Sequence, residues 1–109
     1  VNEVLVVLPS GALGVYGKQH PVWLDGERSD RRYGFPTWEL SARVFAGALT
    51  PVRFRLGALI CFDMDFTDAA RTLASQGAAL LLAPTHDWPA EARLHWRAAV
   101  YRAIENRVP

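Results

Sequence analysis

Two apolar runs without polar alternation, "LGALICF" at residues 56–62 and "AALLLAP" at 78–84, constrain the fold more than anything else in the chain. A strand with one wet face alternates polar and apolar residues, so runs like these belong to strands covered on both faces. Between them, Asp65 or Thr67 is placed to cap a helix from about Asp68 to Gln76, with Gly77 as its stop. Strand, helix and strand make a βαβ-like unit. The class is α/β, and the covering layers must come from helices and perhaps a second sheet.

The rest of the chain supplies those layers. "VNEVLVVLPSGALGVYGK" reads as a hairpin, Val4 to Leu8 and Leu13 to Lys18, joined by Pro9, Ser10 and Gly11. From Gln19 to Thr37 the Gly, Pro, Asp and Arg content predicts a long ordered loop carrying Trp23, Tyr33 and Phe35. Short strands are expected around Arg43 to Ala46 and Val52 to Arg55. Ala90 to Asn106 has helix formers throughout, with Leu94, Ala98, Tyr101 and Ile104 (or Glu105) on one stripe and arginines elsewhere. A hairpin starting at the first residue and a helix ending at "NRVP" suggest the central to C-terminal portion of one larger domain, spanning 1–109.

Composition narrows the function classes. With 50% hydrophobic and 21% charged residues the chain is globular, and its apolar runs fall short of the roughly 18 residues of a membrane span. A net charge of +1 offers no concentrated basic face for nucleic acid, and "GERSDRRYG" mixes signs as a solvated loop does. His20, His86 and His95 lack metal-ligand spacing, and Gly11, Gly14 and Gly17 do not open a helix as a phosphate loop would. No cofactor is expected. The single cysteine excludes an internal disulfide framework. Compartment stays open.

That cysteine, Cys61, has two readings. Free cysteines are commonly buried small hydrophobes. Cys61 instead falls at the C-terminal end of a buried strand, where open α/β sheets place ligands, and the backbone N–H of Phe62 is then available to an oxyanion. A thiolate needs an electropositive setting. Lys18, ending the apolar stretch "LGVYGK", is either that setting or a snorkelling surface residue. Glu27, nine residues on, is placed to orient Lys18 or assist proton transfer, or is a solvated loop acid. For a Cys–His pair, His86 after the second apolar strand is the reasonable partner, ranked below Lys18.

Taken together these residues resemble the carbon–nitrogen hydrolases, the nitrilase superfamily. Tyr16, Lys18 and His20 in "YGKQHPV", "ICFD" at Ile60 to Asp63, "GAALLLAP" and "RAIEN" at Arg102 to Asn106 match family stretches in order. "ICFDMDF", "THDW" and "AAVYRAIEN" look most like the apolipoprotein N-acyltransferase-like branch. The resemblance implies part of a four-layer αββα sandwich and a Glu-Lys-Cys set working through a thioester. Cys61 would be the nucleophile, Lys18 and the Phe62 N–H would hold the oxyanion, and His86, Asp87 and Trp88 would line the substrate pocket. The family's base glutamate lies upstream of the opening hairpin. Its substrates are a small amide, a nitrile or an acyl donor. Acyl transfer would bring in a membrane only through other parts of a parent chain, and the catalytic domain would then be extracytoplasmic. A soluble amidase or nitrilase, and a non-catalytic binding homologue, are the alternatives. Self-association is expected of an incomplete sandwich with bare strand edges.

Overall fold

A computed structural model describes residues 2–22, 26, 28–43 and 50–109. The elements are β1 (Glu3–Val7), β2 (Leu13–Gly17), β3 (Thr37–Ala42), β4 (Val52–Ala58), a 3-10 helical turn (Cys61–Asp65), α1 (Thr67–Ser75), β5 (Ala78–Leu82) and α2 (Pro89–Asn106). β1 and β2 form the expected antiparallel hairpin, with Glu3 opposite Gly17. Its turn closes through the Gly11 N–H to the Leu8 carbonyl at 2.8 Å, with Gly11 at φ +81° where a side chain would be strained. β4 is central in a second sheet of order β3-β4-β5, antiparallel to β3 and parallel to β5. The β4–α1–β5 crossover is the βαβ unit that the two apolar runs require.

Three boundaries differ from expectation. The strand expected over Leu56 to Phe62 stops at Ala58 and begins at Val52, because β4 pairs with β3 from Val52 to Gly57 and with β5 as far as Ala58. The chain still runs extended beside the exit of β5, with the Leu59 N–H on the Leu82 carbonyl and the Cys61 N–H on the Pro84 carbonyl, both at 2.9 Å. It then coils into the helical turn. An apolar run does not distinguish a buried strand from a buried turn. The short strand expected near Arg43 is instead β3, ending at Ala42, and residues 44–46 lie outside the described residues. Neither Asp65 nor Thr67 caps α1: Phe66 holds the N-cap position with no side-chain cap bond, while Gly77, at φ +85°, ends the helix as expected.

Of the stripe expected on α2, Ala98 faces the core while its larger members do not. Leu94, Tyr101 and Ile104 are exposed, and the helix packs inward through His95, Ala98, Ala99 and Arg102. Small residues let the layers approach: Ala69, Ala70 and Leu73 of α1, Ala78 of β5, Leu59 and Met64 form one cluster, against which Ala98 and Ala99 pack. Fully burying a side chain such as Leu73 is worth about 1.5–3 kcal/mol. A second cluster of Tyr16, Ala58 and Ile60, with Val4 and Trp38 alongside, joins hairpin to sheet. Gly14 is required there, since a Cβ would run into the Trp38 indole. Among the described residues no helix is long and apolar enough to cross a membrane.

Candidate active site

Cys61 sits where β4 gives way to the helical turn, and its backbone is left-handed at φ +48°. A non-glycine residue in that region costs on the order of 1–3 kcal/mol and persists only when its surroundings hold it. They do so on both sides. The Cys61 N–H is tied to the Pro84 carbonyl, and the Asp63 carboxylate reaches back to the Ile60 N–H at 3.0 Å. The consequence is a half-buried thiol at the rim of a cavity.

Asp63 is fully buried and anchors this turn to the hairpin. It accepts the Tyr16 hydroxyl at 2.7 Å, the backbone N–H groups of Gln19 and His20 at 3.2 and 2.8 Å, and faces His20 Nδ1 at 3.0 Å. Burial, reinforced by the bond to Asp63, pushes the Tyr16 phenol far above its usual range, so it stays a donor. The order Tyr16, Lys18, His20 thereby gains a physical reason: Tyr16 lies near the end of β2, and the chain then bends over Asp63 at Gln19 and His20. Tyr16 and His20 hold Asp63 while Lys18, 2% exposed, lines the cavity with Cys61. The His20 ring also stacks on Phe66, with centroids 4.0 Å apart.

"RAIEN" acts on the other end of the turn. Arg102 donates from Nε to the Met64 carbonyl at 2.9 Å and from a terminal nitrogen to the Asp65 carbonyl at 3.3 Å. Its remaining nitrogen pairs with Glu105 at 2.8 Å, and Asn106 bonds both the Arg102 carbonyl and Glu105. The Arg102 guanidinium in turn lowers the Glu105 carboxyl below its ordinary value. Strand, turn and helix motifs all converge on the peptide around Cys61.

The cavity is about 680 Å³ and is lined by Lys18, Ile60, Cys61, Phe62, His86 and Trp88, among others. That volume suits a small molecule. Asp87 lies behind the lining residues Cys61, Thr85 and His95: the Cys61 thiol is 3.9 Å from Asp87 Oδ1, which also accepts the Thr85 hydroxyl at 2.6 Å and contacts His95 Nδ1. Burial alone would raise the Asp87 carboxyl, but the Thr85 and His95 bonds prevail and hold it below its usual value. His95 Nε2 faces Asp65 Oδ2 at 3.5 Å. Hence the histidine that contacts Asp87, and through it the thiol, is His95, while His86 lines the cavity with its ring edge-on to Trp88. A lone histidine eight residues after an aspartate carries no recognisable spacing, so sequence reasoning had no signal for it. Among the described residues, Cys61, Asp87 and His95 are the ones that group metal-ligating atoms, all within 4.8 Å. Glu27 lies outside the described residues.

The carbon-nitrogen hydrolase family profile matches residues 1–109. The chain belongs to the carbon-nitrogen hydrolase family. It is 34% identical over 107 residues to a nitrilase from Pyrococcus abyssi, covering 98% of this chain and 36% of the relative. It is 33% identical over 108 residues to an omega-amidase from Escherichia coli, covering 98% and 38%. An N-carbamoylputrescine amidase from Solanum lycopersicum is 33% identical over 116 residues, covering 99% and 37%. This carbon-nitrogen hydrolase chain thus spans little more than a third of the length of these relatives. In structure it resembles a nitrilase-superfamily amidase from Nesterenkonia AN1, with a TM-score of 0.64 at 22% identity over 90% of this chain and 34% of that one. The α/β fold is that of the superfamily, of which the chain covers part.

Proposed function

We propose that this chain forms the central to C-terminal portion of a carbon-nitrogen hydrolase domain that cleaves a small carboxamide through a thioester on Cys61. The observation that carries the reading is the strained Cys61 turn, whose thiol opens on the same cavity as the buried Lys18. In this reading the thiolate attacks the amide carbon, and the carbonyl π electrons move to oxygen. The Lys18 ammonium and the Phe62 N–H, near the start of a helical turn, stabilise that oxyanion. Collapse expels the amine, which takes up a proton, and water then releases the acid and restores the thiol. The family resemblance assigns the thiol proton to an upstream glutamate. Asp87, 3.9 Å from the thiol, is the acceptor within these residues.

Amide cleavage is favoured over acyl transfer because the matched relatives bear amidase and nitrilase names. The N-acyltransferase-like reading is the second, supported by the residues that follow β5: Asp87 beside the Cys61 thiol and Trp88 lining the cavity. The test is mass spectrometry of the protein incubated with short carboxamides. An acyl adduct on Cys61, absent from Cys61→Ser, is expected together with loss of at least ~10⁴-fold in turnover. Unchanged turnover in the serine variant would remove Cys61 from the chemistry.

A further inference from the structure

Cys61 and His95 line the cavity, and Asp87 lies between them, so a sulfur, an oxygen and a nitrogen ligand come together with a chemistry of their own. We propose that Cys61 Sγ, Asp87 Oδ1 and His95 Nδ1 form a binding site for a borderline-soft divalent cation such as Zn²⁺, with the cavity supplying the open fourth position.

The donor set is the first argument. Thiolate, imidazole and carboxylate together select zinc-like ions over magnesium or calcium, which prefer all-oxygen shells. Distance is the second. Zinc–ligand bonds of about 2.0–2.3 Å place tetrahedral donors roughly 3.5 Å apart. Here Cys61 Sγ and Asp87 Oδ1 are 3.9 Å apart, and no pair of the three atoms exceeds 4.8 Å. Side-chain adjustments alone close the set, with the Asp87–His95 hydrogen bond opening to admit the ion.

The third argument is the outer shell. A metal-bound imidazole commonly donates its other N–H to a carboxylate, which fixes its tautomer. His95 Nε2 faces Asp65 Oδ2 at 3.5 Å, and the Thr85 hydroxyl already holds Asp87 Oδ1. Both outer partners are therefore in place. On binding, a neutral His95 carries its proton on Nε2, which donates a hydrogen bond to the Asp65 carboxylate, and the Cys61 thiol proton is released to solvent. Asp87 binds as the carboxylate. No redox partner is needed, and no covalent bond to carbon forms.

The backbone stiffens the ligand set. Cys61 is fixed by its left-handed turn and the Pro84 carbonyl, and His95, only 8% exposed, is packed on the inner face of α2. Coordination would occupy the sulfur lone pair that attacks an amide, so the ion would act as a reversible block of the thiol. That consequence rests on the function proposed above, whereas binding itself does not.

Titration of the purified, metal-free protein with Cd²⁺ reads the thiolate directly through its ultraviolet charge-transfer band, and calorimetry with Zn²⁺ gives affinity and stoichiometry. One ion per chain is expected, with the band lost in Cys61→Ser and Zn²⁺ affinity reduced ~10²-fold in both Asp87→Asn and His95→Gln, and ~10-fold in Asp65→Asn. Circular dichroism checks that each variant is folded, and the partly accessible Asp87→Asn serves if His95→Gln is not. Zn²⁺ should also slow alkylation of Cys61 by iodoacetamide, and a chelator should restore it. Wild-type affinity in folded Asp87→Asn would overturn the site, since it would mean that the thiol binds the metal without the carboxylate. Failure of amide turnover with intact metal binding would count against the proposed reaction alone.

Discussion

The floor of the cavity and the outer face of α2 invert the usual distribution of residues. Around Cys61, charged and polar side chains are buried: Lys18, Asp63 and His95. On the outer face of α2, Trp96, Tyr101 and Ile104 are each about two-thirds exposed. Burying polar groups is costly unless every one is paired. Among the described residues no buried side-chain nitrogen or oxygen lacks a partner, so the interior polar set is a finished network. The outer apolar face has no such completion within these residues. One region is specified by its own hydrogen bonds; the other is specified only by propensity.

Asp63→Asn should break the comparison most severely. An amide offers one acceptor where the carboxylate offers two, and its NH₂ would confront either the Tyr16 hydroxyl and Ile60 N–H or the Gln19 and His20 N–H groups. Leaving buried donors unpaired predicts a loss of about 3 kcal/mol, read as a lower urea midpoint at unchanged slope. A change below ~1 kcal/mol would mean that the turn is held without its carboxylate.

Lys18→Ala tests the same floor through function. Removing a preorganised oxyanion donor should cost ~10²-fold in kcat, about 2.7 kcal/mol, with a smaller effect on KM. Lys18→Arg should recover only part of this, because a planar guanidinium does not replace a compact ammonium. Wild-type rates in both variants would return Lys18 to a purely structural role.

Why one region was legible and the other was not follows from the same contrast. The βαβ unit was readable because Leu56 to Ala58 and Ala78 to Leu82 are continuous apolar stretches flanking a helix closed by Gly77. Tyr16, Lys18, His20, Cys61 and "RAIEN" were readable as a resemblance, and their contacts show what each spacing is for: the strand residues and Arg102 grip opposite ends of one turn. Three features were hidden. The turn at Cys61 depends on tertiary ties, from its own N–H to Pro84 and from Asp63 to Tyr16, which no local pattern displays. His95 reaches Asp87 because the second turn of α2 faces back toward the loop that precedes it. The stripe of α2 was right at Ala98 alone, because the helix meets the core through Ala98 and Ala99 and leaves Leu94, Tyr101 and Ile104 exposed.

Acid titration sharpens the comparison at a site away from the cavity. Asp30 accepts Nε and a terminal nitrogen of Arg32 at 2.8 and 2.7 Å, and the guanidinium lowers its pKa from 3.8 to about 2. A carboxyl depressed on folding stabilises above its unfolded pKa and loses that contribution as pH falls through the folded value. Stability should therefore drop between about pH 4 and pH 2 in the wild type, and Asp30→Asn should flatten that part of the profile. The effect should be modest and weaken with salt, since Arg32 is 62% exposed. An unchanged acid limb in the variant would show that the loop ion pair does not contribute.

Ile104→Ser should have the smallest effect, and it probes the outer face directly. Ile104 is 68% exposed, so little transfer free energy is lost, and urea unfolding should shift by no more than about 0.5 kcal/mol. Leu73→Ala, in the cluster beneath α1, supplies the contrast: a buried leucine truncated to alanine costs about 2–5 kcal/mol. Light scattering on the same samples gives the exposed face a second reading. If Ile104→Ser destabilised as strongly as Leu73→Ala and also lowered the apparent mass, the outer face of α2 would be packed in solution, and the inversion between floor and face would belong to the isolated chain rather than to the protein at work.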